Sequence, residues 1–296
     1  EGTGSTDNES FTIDGSNLII DSSPDYESKS SYSIRLQTTD SSGETYVEVF
    51  TLEVNDLNET PSNISLSSSS FNENTDAASV VELTSSDPDS SDTHTYSFVS
   101  GSGDTDNNSF TIDGSTLIIN SSPDYEIKSS YNIRLQTTDS SGETYSEAFT
   151  LSVNDLNESP SNISLSSSSF NENIEAATVI ATLSSTDEDA GDTHSYTLVS
   201  GEGDTDNNLF SISGSNLIVL ESPDYETQDS YSIRIETTDS GGETYVEVIT
   251  LEVNDLNESP SNISLSSSSF NENTDAASVF ELTSSDPDSS DTHTYS

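Results

Sequence analysis

The sequence has 296 residues, a formal net charge of -50 and only five basic side chains, Lys29, Arg35, Lys128, Arg134 and Arg234. So large an excess of carboxylate repels itself and calls for cations, and it excludes nucleic acid and anionic membrane surfaces as partners. With no cysteine there is no disulfide framework and no thiol chemistry, and no signal peptide or spanning apolar run is seen; such segments are expected outside this stretch.

Hydrophobic residues make up 28% of the chain. Low hydrophobicity with high charge is a signature of disorder. The placement of the apolar residues argues otherwise, because they fall in short runs with β-type alternation.

Repetition organises the chain. The string Asn55-Asp56-Leu57-Asn58-Glu59 returns at Asn154 and at Asn254, spacings of 99 and 100 residues, and residues 260–296 match 61–97 with one difference, Phe280 for Val81. The expected division is a partial repeat at 1–60, complete repeats at 61–159 and 160–259, and the start of another at 260–296. A unit of about 100 residues is the size of one small β-sandwich and has no helical period.

In the first complete repeat, strand-like runs are expected at 64–71, 80–83, 95–99, 110–112, 117–119, 131–135 and 145–153. Alternation is clear in Tyr131, Ile133, Leu135 and in Phe149, Leu151, Val153, and turn formers separate the runs. Seven such strands predict an all-β fold of tandem antiparallel sandwiches. If successive strands alternate in direction, parity sends Glu73, Asp124, Glu126 and the exit segment Asp155, Asn157, Glu158 to one end of the repeat. It sends the loops of Asp87, Asp89 and Asp139 to the other. An odd strand count puts the start and finish of a repeat at opposite ends, so repeats can stack.

At the 159/160 junction this gathers Glu73, Asp124, Glu126, Asp155, Asn157 and Glu158 with Asp187, Asp189 and Asp239 of the following repeat. All the donors are oxygens. Ca²⁺ takes about six to eight oxygens in flexible geometry and suits such a set better than Mg²⁺, whereas zinc and copper prefer His or Cys. His94, His194 and His293 occupy one repeat position each and do not cluster within a repeat. A short acidic tether cross-linked by calcium to both neighbours becomes rigid, so calcium is expected to convert a hinged chain into a rod. The competing reading is an acidic surface adapted to salt.

Taken in order, Glu73, Asp87-Pro88-Asp89, Asp124-Tyr125-Glu126, Thr138-Asp139-Ser140 with Gly142, and Asp155-Leu156-Asn157-Glu158 before Pro160 resemble cadherin repeats, in the form found in long bacterial surface proteins. The resemblance covers the whole chain. It implies a Greek-key, immunoglobulin-like sandwich of seven strands, calcium between successive domains, and cell adhesion, often homophilic. It also implies ligands at the other junctions. At 60/61 these are Asp25, Glu27, Asp56, Asn58, Glu59, Asp87, Asp89 and Asp139. At 259/260 they are Glu172, Asp224, Glu226, Asp255, Asn257, Glu258, Asp286 and Asp288. Tyr125 stands where animal cadherins commonly carry Arg, the tether is one residue shorter than theirs, and no Trp is present for strand exchange through that side chain.

Several features have plainer readings. The loop from Gly103 to Asn107, with counterparts at Asp204/Asp206 and Ser5/Asp7, is either a further calcium loop or, more often, a hairpin connection. The arginines are expected on the outer face of a strand, paired with neighbouring carboxylates. The histidines read as surface or capping groups, and Tyr96, Tyr131, Tyr196 and Tyr231 as core. A sequon such as that at Asn63 means little without a eukaryotic secretory context.

Three functions compete: a calcium-dependent adhesive module binding other cell-surface proteins or identical repeats, a passive stalk presenting a tip located elsewhere, and a carbohydrate-binding module with glycan partners. Near-identity of the repeats favours the stalk, since length is gained by duplicating one unit. Catalysis is not expected, because paired acids recur at every junction instead of forming one cleft and there is no Cys nucleophile or His constellation. The expected location is extracellular or at the cell surface, within a larger secreted or membrane-attached bacterial protein.

Overall fold

The computed structural model describes residues 2–75, 78–276 and 280–296. The chain divides into two compact units, Glu1–Leu156 and Asn157–Ser296. Among the described residues the regular structure is strand, apart from short 3-10 turns at Asn8–Ser10, Asn107–Ser109 and Asn207–Leu209.

The first unit opens with β1 (Phe11–Asp14), β2 (Asn17–Ile20), β3 (Ser31–Thr39) and β4 (Thr45–Glu53), which pair only as β1–β2 and β3–β4. It continues with β5 (Asn63–Leu66), β6 (Ser70–Asn72), β7 (Ser79–Ser86), β8 (Thr95–Phe98), β9 (Phe110–Asp113), β10 (Thr116–Ile119), β11 (Ser130–Thr138) and β12 (Thr144–Asn154). These eight make two sheets of order β5-β7-β10-β9 and β6-β12-β11-β8. The pairings are antiparallel except for β6 with β12, which is parallel, so the topology is a Greek-key sandwich.

The second unit repeats the plan with β13 (Asn162–Leu165), β14 (Ser169–Asn171), β15 (Thr178–Thr186), β16 (Ser195–Leu198), β17 (Phe210–Ser213), β18 (Asn216–Val219), β19 (Ser230–Thr238) and β20 (Thr244–Asn254). Its sheets run β13-β15-β18-β17 and β14-β20-β19-β16. It ends with the pair β21 (Asn262–Leu265) and β22 (Leu282–Ser285).

The run expected at 64–71 is two strands, one in each sheet. Serine side chains make the break. Ser67 Oγ accepts the Glu82 N–H at 2.9 Å, and Ser68 Oγ donates to Ser70 O at 2.7 Å while accepting its N–H at 3.1 Å. Hydroxyls that replace ladder bonds let the chain leave one sheet and join the other.

Period-2 alternation sets the core. Val81, Leu83, Leu117, Ile133, Leu135 and Leu151 are buried in the first sandwich, and Ala181, Leu183, Leu217, Ile233, Ile235 and Leu251 are their counterparts in the second. Phe71, Phe110 and Tyr131 form a cluster with centroids 5.4 to 6.1 Å apart, Phe110 edge-on to the other two rings, at the end nearest Glu73. Gly103 has φ +89, and a Cβ there would sit 2.8 Å from Ala148 Cβ, so this loop lies flat on β12. The arginines correct the expectation of carboxylate partners: Arg35, Arg134 and Arg234 donate from Nη1 to the carbonyls of Thr3, Ser102 and Glu202, tying down the loop before the 3-10 turn.

Ile133→Ala should cost about 2–5 kcal/mol, the usual range for a fully buried Ile. Ile127→Ala, at a residue 83% exposed, should stay within about 0.5 kcal/mol. Thermal unfolding of the two variants should separate accordingly.

Candidate metal centre

The acids sit where buried strand registers run out of apolar residues. Along β11 the inward positions read Ile133, Leu135, Thr137 and then Asp139, which is 6% exposed. On β7 the series Val81, Leu83, Ser85 ends at Asp87, with Ser85 Oγ donating to Thr137 Oγ1 at 2.9 Å. Phe71 on β6 leads to Glu73, and Leu151 and Val153 on β12 lead to Asp155. Inward registers therefore deliver carboxylates to the two ends of each sandwich.

At one end Glu73 is 2% exposed. Its Oε2 accepts Tyr125 N–H and its Oε1 accepts Leu156 N–H, both at 2.7 Å. Glu172 does the same with Tyr225 N–H at 2.9 Å and Leu256 N–H at 2.6 Å. The charge is thus held by two backbone donors from separate segments, which also fixes the Asp-Tyr-Glu loop and the exit segment beside it. Tyr125 and Tyr225 pack against the cores and anchor those loops from within. Asn74 and Asn173 take φ +57 and +60, a region Asn tolerates, so the chain turns sharply after each Glu.

At the other end Asp139 Oδ1 accepts the N–H groups of Ser141, Gly142 and Glu143 at 2.7 to 2.9 Å, and Asp239 Oδ1 accepts those of Gly242 and Glu243. Asp87 Oδ2 lies 3.0 Å from His94 Nε2, Asp187 Oδ2 2.9 Å from His194 and Asp286 Oδ2 2.8 Å from His293. The histidines are part-buried and act as capping groups, each orienting the first Asp of Asp-x-Asp, a role invisible until the loop closes.

The linkers join the ends. In the first unit Asn58 Nδ2 donates to Asp139 Oδ2 at 3.0 Å and Glu59 N–H to Asp89 Oδ2 at 2.8 Å. In the second, Asn157 Nδ2 donates to Asp239 Oδ2 at 3.0 Å, while Glu158 and Glu258 N–H donate to Asp189 and Asp288 at 2.9 and 2.7 Å. Asn257 donates to Glu258 O at 2.7 Å. Asp25, Asp124 and Asp224 each give one oxygen to an N–H three residues on, so their loop turn is self-supported.

Around these scaffolds carboxylates converge. Oxygens of Glu27, Asp56 and Asp89 lie within 4.8 Å of one another, as do those of Glu172, Glu226 and Glu258. Glu126 is within the same distance of Glu73 and of Asp155. A further group, Asp87, Asp92 and Asp139, contains a residue the sequence reading missed. Asp92 is five residues past Asp87 in the same loop, and its Oδ2 is buried without a hydrogen-bond partner among the described residues, as are Asp192 Oδ2 and Glu258 Oε2. Recurrence of Asp92, Asp192 and Asp291 at one repeat position was the available signal.

The loop at 103–107 is a clamp. Asp106 pairs with Lys128 and accepts Asn132 N–H at 2.8 Å, and Asp104 accepts Gly101 N–H at 2.9 Å. Asp7 pairs with Lys29 in the same way, and Asp206 takes Gln228 Nε2 at 3.2 Å.

The two kinds of acid differ in proton affinity. The Asn58 amide, foremost, and three backbone N–H groups hold Asp139 below its ordinary value despite desolvation. Desolvation is the largest influence on Asp106 and Asp239, but Lys128 with the Asn132 N–H, and Asn157 with the N–H groups of Gly241, Gly242 and Glu243, together outweigh it and lower both. The junction acids go the other way. Glu27 is favoured as an anion by its own backbone N–H, yet partial desolvation and the charges of Asp56 and Asp89 raise it. Desolvation and neighbouring carboxylates also raise Glu59, Asp255 and Glu258.

No family model matches the chain. It is 31% identical over 165 residues to "Protocadherin Fat 2" of Mus musculus and 30% identical to the Rattus norvegicus protein of that name, a match covering 51% of the chain. The chain spans 4% of the length of these curated relatives. Among solved structures it superposes on the protocadherin GammaB4 extracellular domain with a TM-score of 0.62 at 22% identity, over 91% of this chain and 45% of that one. Human desmocollin-1 ectodomain gives 0.51 at 18% identity, over 85% and 53%. The fold is thus that of cadherin extracellular repeats, reached with little residue identity.

Raised carboxylates are easier to protonate in the folded chain, so their contribution to stability is present below the ordinary 3.8 for Asp and 4.5 for Glu and is lost as pH rises through the raised values. Lowered ones contribute above the ordinary 3.8 and lose that contribution as pH falls through the depressed values. In chelator, the unfolding midpoint should therefore climb as pH drops from neutral towards the Glu range and fall on further acidification. A steady decline from neutral would contradict the assignment.

Proposed function

We propose that these cadherin-like repeats form a calcium-binding, calcium-stiffened segment of an extracellular adhesion-type protein. The observation that carries this is the convergence of Glu172, Glu226 and Glu258, whose oxygens approach within 4.8 Å while Glu258 Oε2 is buried without a hydrogen-bond partner. Unneutralised charges so close cost free energy, and a divalent cation removes that cost. The donors are carboxylates and amides with no cysteine, the chemistry of a hard cation, and their loose spread suits the larger ion.

On this reading Glu27, Asp56 and Asp89, with Asp87, Asp92 and Asp139 on the following repeat, would hold calcium at the 60/61 linker. Glu172, Glu226, Asp255, Glu258 and Asp288 would do so at 259/260. The residues flanking 159/160 are of the same types. Asn58 and Glu59 already tether the linker to Asp139 and Asp89, so an ion need only lock a path that the backbone follows. Each bound ion would restrict the hinge between repeats.

An adhesion-type role is what cadherin-like extracellular repeats imply, and the finer role of this stretch divides three ways: stalk, homophilic adhesion or carbohydrate binding. Near-identity of 61–97 and 260–296 favours a stalk that sets distance, because a recognition surface gains nothing from duplication. Beads coated with the chain should then stay dispersed in calcium; aggregation would mark homophilic binding, and retention on a glycan array would mark a carbohydrate site.

Calcium that binds the folded state must raise the unfolding midpoint with its concentration, adding about 2.7 kcal/mol of stability at a hundredfold excess over Kd for one site. The rise should be smaller with Mg²⁺ at equal ionic strength. Asp92→Asn should raise the midpoint in chelator, by removing an unneutralised charge, and shrink the calcium-dependent rise. Equal responses to both ions, untouched by Asp92→Asn and Glu226→Gln, would reduce the effect to charge screening.

A further inference from the structure

One position of the repeat is filled in two ways. Lys29 and Lys128 occupy it in turn, and each ammonium sits over a tyrosine ring, 4.7 Å from the centroid of Tyr32 and 4.8 Å from that of Tyr131. Each also pairs with an aspartate, Asp7 or Asp106. An alkylammonium between an aromatic face and a carboxylate is held by the ring quadrupole and by the charge together. The second complete repeat keeps both partners, as Tyr231 and Asp206, and replaces the cation with Gln228. Two further positions change with it. Leu209 stands where the others carry Ser10 and Ser109, and Glu221 where they carry Ser22 and Ser121.

These three changes meet at one cavity. Leu209, Val219, Glu221, Asp224, Gln228 and Tyr231 line a space of about 210 Å³. Gln228 ends one atom short of a lysine nitrogen, and its amide donates to Asp206 Oδ1 at 3.2 Å and to Ser230 O at 2.8 Å. The amide satisfies hydrogen bonds but brings no charge. Burial, and then the charges of Asp206, Asp224 and Glu221, raise the Tyr231 phenol. Burial also raises that of Tyr131, but there Lys128 pulls against it. The acids around the second ring therefore lack the cation that the first has. A hydrated inorganic ion gains nothing from the apolar wall of Leu209 and Val219, whereas an aliphatic chain does.

We infer that this cavity binds a primary alkylammonium. Its nitrogen takes, beside Tyr231 and Asp206, the place that Lys128 Nζ takes beside Tyr131 and Asp106. Glu221 and Asp224 stand at the rim, and the methylenes lie along Leu209 and Val219. The first complete repeat supplies this cation from its own chain; the second receives it from outside, as a small aliphatic amine or as a lysine side chain of another protein. Asp206, Glu221 and Gln228 belong to no junction set, so the site is independent of calcium at the linkers.

Titration of the 296-residue chain with n-butylammonium, followed by amide chemical shifts at fixed calcium and ionic strength, tests this. The shifts should saturate at one site and centre on Glu221, Gln228 and Tyr231, and potassium should not reproduce them. Nα-acetyl-lysine methylamide is the second probe: tighter binding of it marks a protein side chain as the source, and tighter binding of n-butylammonium marks a free amine. Gln228→Lys places the cation in cis, as in the first complete repeat, and should abolish the saturating response. Glu221→Ser, at an exposed residue, should leave the fold intact and weaken binding about two- to fivefold. A response that does not saturate, that potassium matches, or that persists in folded Gln228→Lys would overturn the inference.

Discussion

A buried glutamate holds each complete repeat to its own exit. Glu73 and Glu172 lie at the foot of an apolar register, and each spends its two oxygens on backbone N–H groups from two loops that would otherwise be independent. A carboxylate taken out of water must find such partners, since an unpaired buried charge is far too costly. That requirement draws the Asp-Tyr-Glu loop and the linker against the same spot. The other junction acids are gathered because their backbones have been.

The same arrangement explains why charge and fold coexist here. A chain with 55 acidic and five basic residues cannot pair its charges internally. The few cations are used sparingly: Lys29 and Lys128 each clamp one aspartate, and Gln228 does the work where Lys is missing. Backbone N–H groups carry much of the rest, as the loop around Asp139 shows. At the junctions this supply is short, and oxygens are left facing one another. The interior is correspondingly simple, two layers of aliphatic side chains with one aromatic cluster.

Residues 11–53 set beside 110–152 show how much burial depends on neighbouring strands. Phe11, Leu18 and Ile34 are the same side chains as in the intact repeat, in strands with the same registers. Ile34 is buried as Ile133 is, while Leu18 is exposed, because β2 has no neighbouring strand of the kind β7 supplies to β10. Local pattern makes the strands and hairpins; burial of the remaining apolar face needs the strands that pair alongside them.

Alternation and repetition were enough to place the strands, their two-faced character and the period, because side-chain direction in a strand depends only on position along it. Parity of strand direction likewise predicted which acids share an end, and Glu73 beside Tyr125 and Leu156 follows from it. What sequence could not supply were distances across the chain. The split of 64–71 between two sheets depends on serine hydroxyls meeting ladder positions that exist only once β7 is in place. The His94–Asp87 contact and the burial of Asp92 depend on how one loop folds back on itself. Whether the loop of Asp106 is a calcium loop or a hairpin connection stays open in the sequence until Lys128, 22 residues on, is seen to take its oxygen. The sequence by itself determined which residues face inward and which ends carry charge; the tertiary structure alone decided which carboxylates are satisfied by the protein and which are left facing one another, because that depends on donors brought from distant segments.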